Sequence, residues 1–333
     1  MAIRVVLVGL GPIGAAVGRQ LTARKGFQIV GAVDIDPSKL GRDAGDVLEV
    51  GRRLRVSVGE SIGKTLKAKK PDVAVLCTGS TLKHVLPQFE EVLKQRVPIV
   101  TTTEEAAYAS ARNRPLARRL DAAARRAKVA VLGTGVNPGF LMDALPIALT
   151  ALCERVDRIE VHRVQDARIR RLPFQQKIGA GLTTEQFTRG VERGLLRHVG
   201  FGESIQMIAD AVGWKLERTT VEIQPKVATE LVESELLAVD PGYVCGIVQH
   251  GVGYVQGEPC IRLRLEAYLG APESYDSVLV EGSPRIFSRI EGGVHGDIAT
   301  ASMVVNSIPA VLAAPPGLRT MRDVRLPSFY RGR

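Results

Sequence analysis

Gly9, Gly11 and Gly14 follow the apolar run Val5-Val6-Leu7-Val8 and open an alanine-rich segment of helical character. Gly9 permits a tight turn, Gly11 lets a pyrophosphate approach the backbone, and Gly14 lets a helix pack closely on a strand. The free N–H groups of that first helical turn, entered through Pro12 and Ile13, face the phosphates. A second strand from Gln28 ends at Asp34, about 20 residues beyond the last glycine, where a carboxylate accepts hydrogen bonds from an adenosine ribose. Strand, glycine turn, helix, second strand and acid in register predict dinucleotide binding. The competing structural explanation is a sharp strand-to-helix turn in some other doubly wound sheet.

Two further groups stand where strands end. Cys77-Thr78-Gly79-Ser80 follows the buried run Asp72–Cys77, and its small side chains leave room for a cofactor. Ser80 or Thr81 could equally cap the next helix. Thr102 then leads into the pair Glu104-Glu105. A carboxylate there, beside a nicotinamide, can hold an ammonium, stabilise an iminium or deprotonate water. An acid at a helix N-terminus can instead complement the helix dipole, so the pattern leaves open which member of the pair does chemistry. Glu104 is the first choice.

These groups need elements to carry them. Strands at 72–77, 97–102 and 128–132 alternate with helices at 81–94 and 115–127, which predicts parallel βαβ units. Pro138-Gly139 marks a boundary. Beyond it, 158–164 and 261–266 alternate apolar and polar residues, as strands buried on one face do. Helices are expected at 141–152, 184–196 and 203–212, with a turn at Gln256-Gly257-Glu258-Pro259. A buried helical run from Gly296 to Ala313 is expected to return to the first domain, followed by a surface tail from Pro315. The expected fold class is α/β: an N-terminal Rossmann doubly wound parallel sheet (1–138, completed by 296–333) plus a second α+β domain (139–295) with a mixed or antiparallel sheet.

Composition narrows the function classes. With 45% hydrophobic and 24% charged residues the chain is that of a soluble globular protein, and the absence of a leader or spanning run predicts a cytoplasmic protein off the membrane. A net charge of +10 raises nucleic-acid binding. Arg118, Arg119, Arg125 and Arg126, however, fall on a solvated face of an amphipathic helix with no aromatic platform, so no nucleic-acid partner is expected. Cys77, Cys153, Cys245 and Cys260 lack paired spacing, and His84, His162, His198, His250 and His295 are scattered. No metal site is expected.

The glycine motif, Thr103-Glu104-Glu105-Ala106-Ala107-Tyr108, Gly133 to Asp143, Lys177 to Thr183, His198-Val199-Gly200 and Gly296 to Ala301 with Asn306-Ser307-Ile308-Pro309 together resemble the 2,4-diaminopentanoate dehydrogenases and the native amine dehydrogenases related to them. The resemblance covers most of the chain. It implies a dihydrodipicolinate-reductase-like fold, a homodimer, and interconversion of an amine with a carbonyl compound and ammonia. It implies a Glu of the 104–105 pair as catalytic carboxylate, and Asn137 and Asn306 at the nicotinamide end. Phe140 and Met142 would shape the substrate pocket, and His198 would line its far side. The paired-histidine motif and dicarboxylate loop of dihydrodipicolinate reductase itself are missing.

The expected function is thus an NAD(P)-dependent amine dehydrogenase. NAD is favoured because Asp34 repels a 2′-phosphate, and Lys39 and Arg42 can accommodate NADP. One alternative is 2,4-diaminopentanoate or another amino-acid-derived substrate, whose carboxylate needs a cation such as Lys177 or Arg168. Another is a non-catalytic NAD(P)-sensing regulator.

Overall fold

The computed structural model describes residues 2–110 and 112–332. The chain forms two compact units, Met1–Phe140 with His295–Arg333, and Leu141–Val294. In the first unit, strands β1 (Ile3–Val8), β2 (Phe27–Val33), β3 (Val58–Gly59), β4 (Val73–Leu76), β5 (Ile99–Thr101) and β6 (Ala130–Gly133) alternate with helices α1 (Pro12–Ala23), α2 (Ala44–Val47), α3 (Ile62–Lys69), α4 (Leu82–Lys94) and α5 (Arg114–Ala127). The second unit contains α6 (Ala144–Thr150), β7 (Arg155–Asp166), α7 (Leu172–Lys177), α8 (Thr184–Glu192), α9 (Phe201–Val212), β8 (Arg218–Val227), β9 (Val232–Glu233), β10 (Ala238–Val239), β11 (Val244–Val255), β12 (Glu258–Tyr268), β13 (Tyr275–Ser283) and β14 (Ile286–Glu291). Helix α10 (Gly296–Leu312) and strand β15 (Gly317–Arg319) return to the first.

The first unit is a seven-stranded parallel sheet in the order β15-β6-β5-β4-β1-β2-β3. Val73 to Leu76 are all buried, as are Val5 to Val8, because helices cover both faces of such a sheet. Val6, Val8, Ala74, Leu76 and Ile99 join one core with Leu66 of α3, Phe89 of α4 and Leu120 of α5. Helix α10 packs against α1 and against β4, β5 and β6. It is apolar enough all round to bury Ala301, Val304, Val305, Ile308 and Val311. The tail departs from the sequence expectation. Three of its residues pair with Ala130–Leu132 and form the edge strand β15, too short a run to show period-two alternation.

The second unit is built on a mixed sheet, β14-β13-β7-β12-β11-β8, whose one parallel pair is β7 with β12. Strands β11 and β12 meet through Gln256 and Gly257 at φ 53° and 80°, the left-handed pair that a two-residue hairpin turn demands. Helix α6 starts at Ala144, later than the apolar run implies, because the carboxylate of Asp143 accepts the Ala144 N–H at 2.6 Å and defines the first turn. Asp143 also accepts from Ser204 Oγ at 2.8 Å, tying α6 to α9.

A buried ion pair closes this unit. Arg163 Nε on β7 lies 3.1 Å from Asp276 Oδ1 on β13, with both side chains 4% exposed. Burial lowers the Arg163 pKa and raises that of Asp276, and each partner's charge opposes the other's shift. The pair grips the unit's last residue. Asp276 Oδ2 accepts the Val294 N–H at 2.8 Å, while Arg163 Nη2 and Gln165 Nε2 each donate to the Val294 carbonyl at 2.8 Å. Removing one member strands a buried charge, so Asp276→Ala should lower stability by about 3–5 kcal/mol in a urea titration. Arg163→Met/Asp276→Leu should lose much less, and equal losses in single and double variants would argue against the ion pair as the cause.

Candidate active site

The glycine turn, Asp34, the 77–80 loop and the glutamate pair all follow the carboxyl ends of parallel strands, where ligands bind in open α/β folds. Gly9 has φ +84°, and a Cβ there would sit 2.7 Å from the Cys77 carbonyl. A Cβ on Gly14 would sit 1.8 Å from the Gly9 carbonyl, so α1 can pack this closely only with glycine. At Gly11 a Cβ would meet nothing within 4 Å. Helix α1 starts with Pro12 at its first turn and no side-chain cap, so no side chain occupies the N–H groups of its first turn. These residues fit a pyrophosphate.

Asp34 is 8% exposed. Its Oδ2 accepts the Leu10 N–H at 2.7 Å and its Oδ1 the Asp36 N–H at 2.9 Å, so the acid also pins the glycine turn. Lys39 Nζ stands 3.2 Å from Oδ2. Burial pushes the carboxyl pKa up, but the two backbone N–H donors and Lys39 together outweigh it and hold the group below the usual range. Arg42 is exposed on the same loop. Ile35, beside the acid, is 87% exposed. The sequence reading passed over it because an isoleucine ending a strand looks like core.

The glutamate pair is set by side-chain hydroxyls at the end of β5. Thr101 Oγ1 donates to the Leu76 carbonyl at 2.9 Å, and Thr103 Oγ1 donates to the Gly79 carbonyl at 2.8 Å. The Thr103 N–H donates to Thr101 Oγ1 at 3.1 Å. Glu104–Ala106 then form a single 3-10 turn. Its backbone abuts β6 so closely that a Cβ on Gly133 would lie 2.4 Å from the Ala106 carbonyl carbon. Buried Asn113 donates from Nδ2 to the Glu105 carbonyl at 2.8 Å. The signal for these supports was the threonine run itself.

The two glutamates differ. Glu105 Oε2 accepts the Leu82 N–H at 2.8 Å, at the first turn of α4. Thr81, the N-cap of that helix, makes no side-chain cap bond, so neither Ser80 nor Thr81 caps it as the sequence suggested. Glu105 takes that part from the next strand. Glu104, half-buried, opens the 3-10 turn.

Cys77, Thr78, Gly79 and Ser80 form the loop after β4. Burial pushes the Cys77 thiol up to about 12 despite a hydrogen bond with Thr102, so it is no nucleophile at neutral pH. Asn137 is 7% exposed in the loop after β6, next to β5 in the sheet. That loop folds on itself: Gly139 has φ +132°, and a Cβ on it would be 2.4 Å from the Gly135 nitrogen. Thr300 Oγ1 of α10 accepts the Val136 N–H at 3.3 Å. Phe140 follows, half-buried.

Two expected site residues are corrected. Asn306 Oδ1 accepts from Arg24 Nη1 at 2.6 Å and from the Tyr330 N–H at 3.1 Å. Arg24 follows the last turn of α1, so Asn306 lies at the amino edge of the sheet, opposite the glycine turn, and anchors the tail. Met142 is 0% exposed and belongs to the core. In the second unit, Lys177 is exposed in the last turn of α7, and Arg168 is committed to Asp166 at 2.6 Å. The His198 backbone is held at both ends by the buried Gln249 amide, and its ring meets Phe201 edge-on at 6.0 Å. Among the described residues no group of three or more His, Cys, Asp or Glu could hold a metal ion, and no helix is long and apolar enough to cross a membrane.

Known proteins resemble this chain along its whole length. The dihydrodipicolinate reductase N-terminal family model matches residues 3–113, and the 2,4-diaminopentanoate dehydrogenase C-terminal domain matches 140–332. The 2,4-diaminopentanoate dehydrogenase of Acetoanaerobium sticklandii is 35% identical over 99% of this chain and 95% of its own. An amine dehydrogenase of Streptomyces virginiae is 24% identical over 97% and 96%. The solved amine dehydrogenase of Mycobacterium smegmatis superposes with a TM-score of 0.88 at 25% identity, covering 100% of this chain and 99% of that one. With its C-terminal half and more matched by that domain and a 35% identical relative spanning its length, the chain belongs to the 2,4-diaminopentanoate dehydrogenase family.

Proposed function

We propose that the protein is a nicotinamide-dependent dehydrogenase that oxidises a primary amine to an aldehyde or ketone plus ammonia, and runs the reverse reductive amination. The observation that carries the mechanism is that Glu105 holds the N-terminus of α4, and we assign the substrate to Glu104, half-buried at the opening of the same 3-10 turn. A regulator would have no use for that second acid. The glycine turn and α1 hold the pyrophosphate, Asp34 a ribose hydroxyl, exposed Ile35 the face of the base, and Asn137 the nicotinamide end.

A bound nicotinamide supplies the hydride acceptor. As the C–H bond of the substrate breaks and its electron pair leaves, the nitrogen lone pair forms the C=N bond, and the Glu104 carboxylate stabilises the resulting iminium charge. Glu104 then takes a proton from water as the water oxygen bonds to that carbon. Glu104 returns that proton to the nitrogen as the C–N bond breaks and ammonia leaves, while the hydroxyl oxygen forms the C=O bond and releases its own proton to solvent. Water, and not the carboxylate, ends up in the product.

The substrate class has a second reading, because the 35% identical relative bears the name of a diamino-acid enzyme. A substrate carboxylate then needs a cation. With Arg168 held by Asp166, exposed Lys177 is the residue we assign to it. Cofactor reduction assayed with simple amines and with diamino acids separates the readings, and Lys177→Ala should raise KM for carboxylated substrates alone. The resemblance further supports a homodimer, which light scattering would report as twice the chain mass.

Glu104→Gln should lower turnover by about 10²–10⁴-fold with cofactor affinity nearly unchanged. Glu105→Ala should keep most activity and lose about 1 kcal/mol of stability, as for a missing helix cap. Near-wild-type turnover in Glu104→Gln, with saturating cofactor and a confirmed substrate, removes it from the mechanism. Carbonyl reduction should also require ammonium, since the route passes through an iminium. Efficient alcohol formation from NADH and a ketone without ammonium would replace this function with that of an alcohol dehydrogenase.

A further inference from the structure

The loop after β2 holds more charge than one ribose calls for. Lys39 Nζ lies 3.2 Å from Asp34 Oδ2 and 3.3 Å from Asp36 Oδ2, and its side chain is 22% exposed. Asp36 is itself oriented, because its Oδ1 accepts the Ser38 N–H at 3.0 Å and the Ser38 hydroxyl at 2.7 Å. Those bonds, Ser38's hydroxyl first, hold the Asp36 carboxyl below its ordinary pKa, so both acids are charged around the ammonium. The loop is closed by backbone bonds from Lys39 to Asp36 and from Arg42 to Lys39.

The donor and acceptor accounts bear on the cofactor. A carboxylate offers about four acceptor positions. Asp34 spends three on Leu10, Asp36 and Lys39, which leaves one for a ribose hydroxyl. An ammonium has three N–H donors, and the two acids account for two of them. The third suits a phosphate oxygen. Lys39 also cancels much of the charge by which Asp34 would reject a 2′-phosphate.

We propose that Lys39 determines the balance between NAD and NADP, as counter-ion of Asp34 when the 2′-oxygen is a hydroxyl and as ligand when it carries phosphate. This rests on the assignment of Asp34 to the adenosine ribose. Ser38 and Arg42, on the same loop, add a hydroxyl and a guanidinium at its rim; Arg42 Nη1 is 3.4 Å from the Ser38 carbonyl. Arg42 is exposed and screened by salt, whereas Lys39 is held at the acid itself. Lys39 therefore sets the ratio and Arg42 trims it.

Dissociation constants for NADH and NADPH, measured by fluorescence titration without substrate, test this in the full chain. Lys39→Met should weaken NADPH about tenfold or more and change NADH by less than about threefold, the worth of one charge-assisted contact. It should also flatten the salt dependence of NADPH binding. Asp34→Ala should shift the ratio toward NADPH, and Arg42→Ala should move it less than Lys39→Met. An unchanged NADPH-to-NADH ratio in Lys39→Met, alongside a shift in Asp34→Ala, overturns the role of Lys39 and leaves the ribose assignment standing. Unchanged affinities in Asp34→Ala overturn both.

Discussion

Two buried hydroxyls set the position of the glutamate turn. At the end of β5 the last ladder bond runs from the Thr102 N–H to the Leu76 carbonyl. Thr101 adds a second donor to that carbonyl and Thr103 supplies one to Gly79, and together they lock the end of β4 to the end of β5. The glutamate turn follows one residue later, pressed against β6 where Gly133 has no side chain. With that turn fixed, one acid reaches the open end of α4 and completes a helix that its own N-cap leaves uncapped. Carbonyl satisfaction, close backbone approach and helix capping converge on five residues, and the first glutamate is placed as a consequence.

The fold class was legible because its signals are periodic and local. Valine runs bounded by glycines, helices between them and an acid after the second strand specify a parallel sheet whatever surrounds it. What escaped notice was short or acted at a distance. Strand β15 has three residues and gains its identity only by pairing with β6. Asn306 sits on the face of α10 that meets Arg24 and the tail, and no spacing along the helix tells which end of the sheet that face adjoins. Met142 follows a glycine-rich loop, where pocket and core look alike, and burial alone decided for the core. Glu104 and Glu105 are chemically identical neighbours, and the bond from the Leu82 N–H to Glu105 has no signature in the sequence.

The two units treat charge differently. In the first, Asp34 sits at a strand end with backbone N–H groups converging on it, so it remains ionised although nearly buried. In the second, Arg163 and Asp276 face each other inside a sheet, and each is held charged mainly by the other. The first arrangement leaves an acceptor position for a ligand. The second consumes its hydrogen bonds on Val294, where the chain leaves the unit, and offers a ligand nothing.

The discontinuity of the first unit has a consequence for biosynthesis. Helix α10 and strand β15, which pack on the parallel sheet and extend its edge, belong to His295–Arg333 and are synthesised only after the whole second unit. The second unit, uninterrupted between Leu141 and Val294, can mature on the nascent chain. The first waits, because α10 and β15 come from the far side of that insertion. The parallel sheet is thus completed across about 150 intervening residues, a long loop whose closure costs less when the second unit has already folded and drawn its ends together.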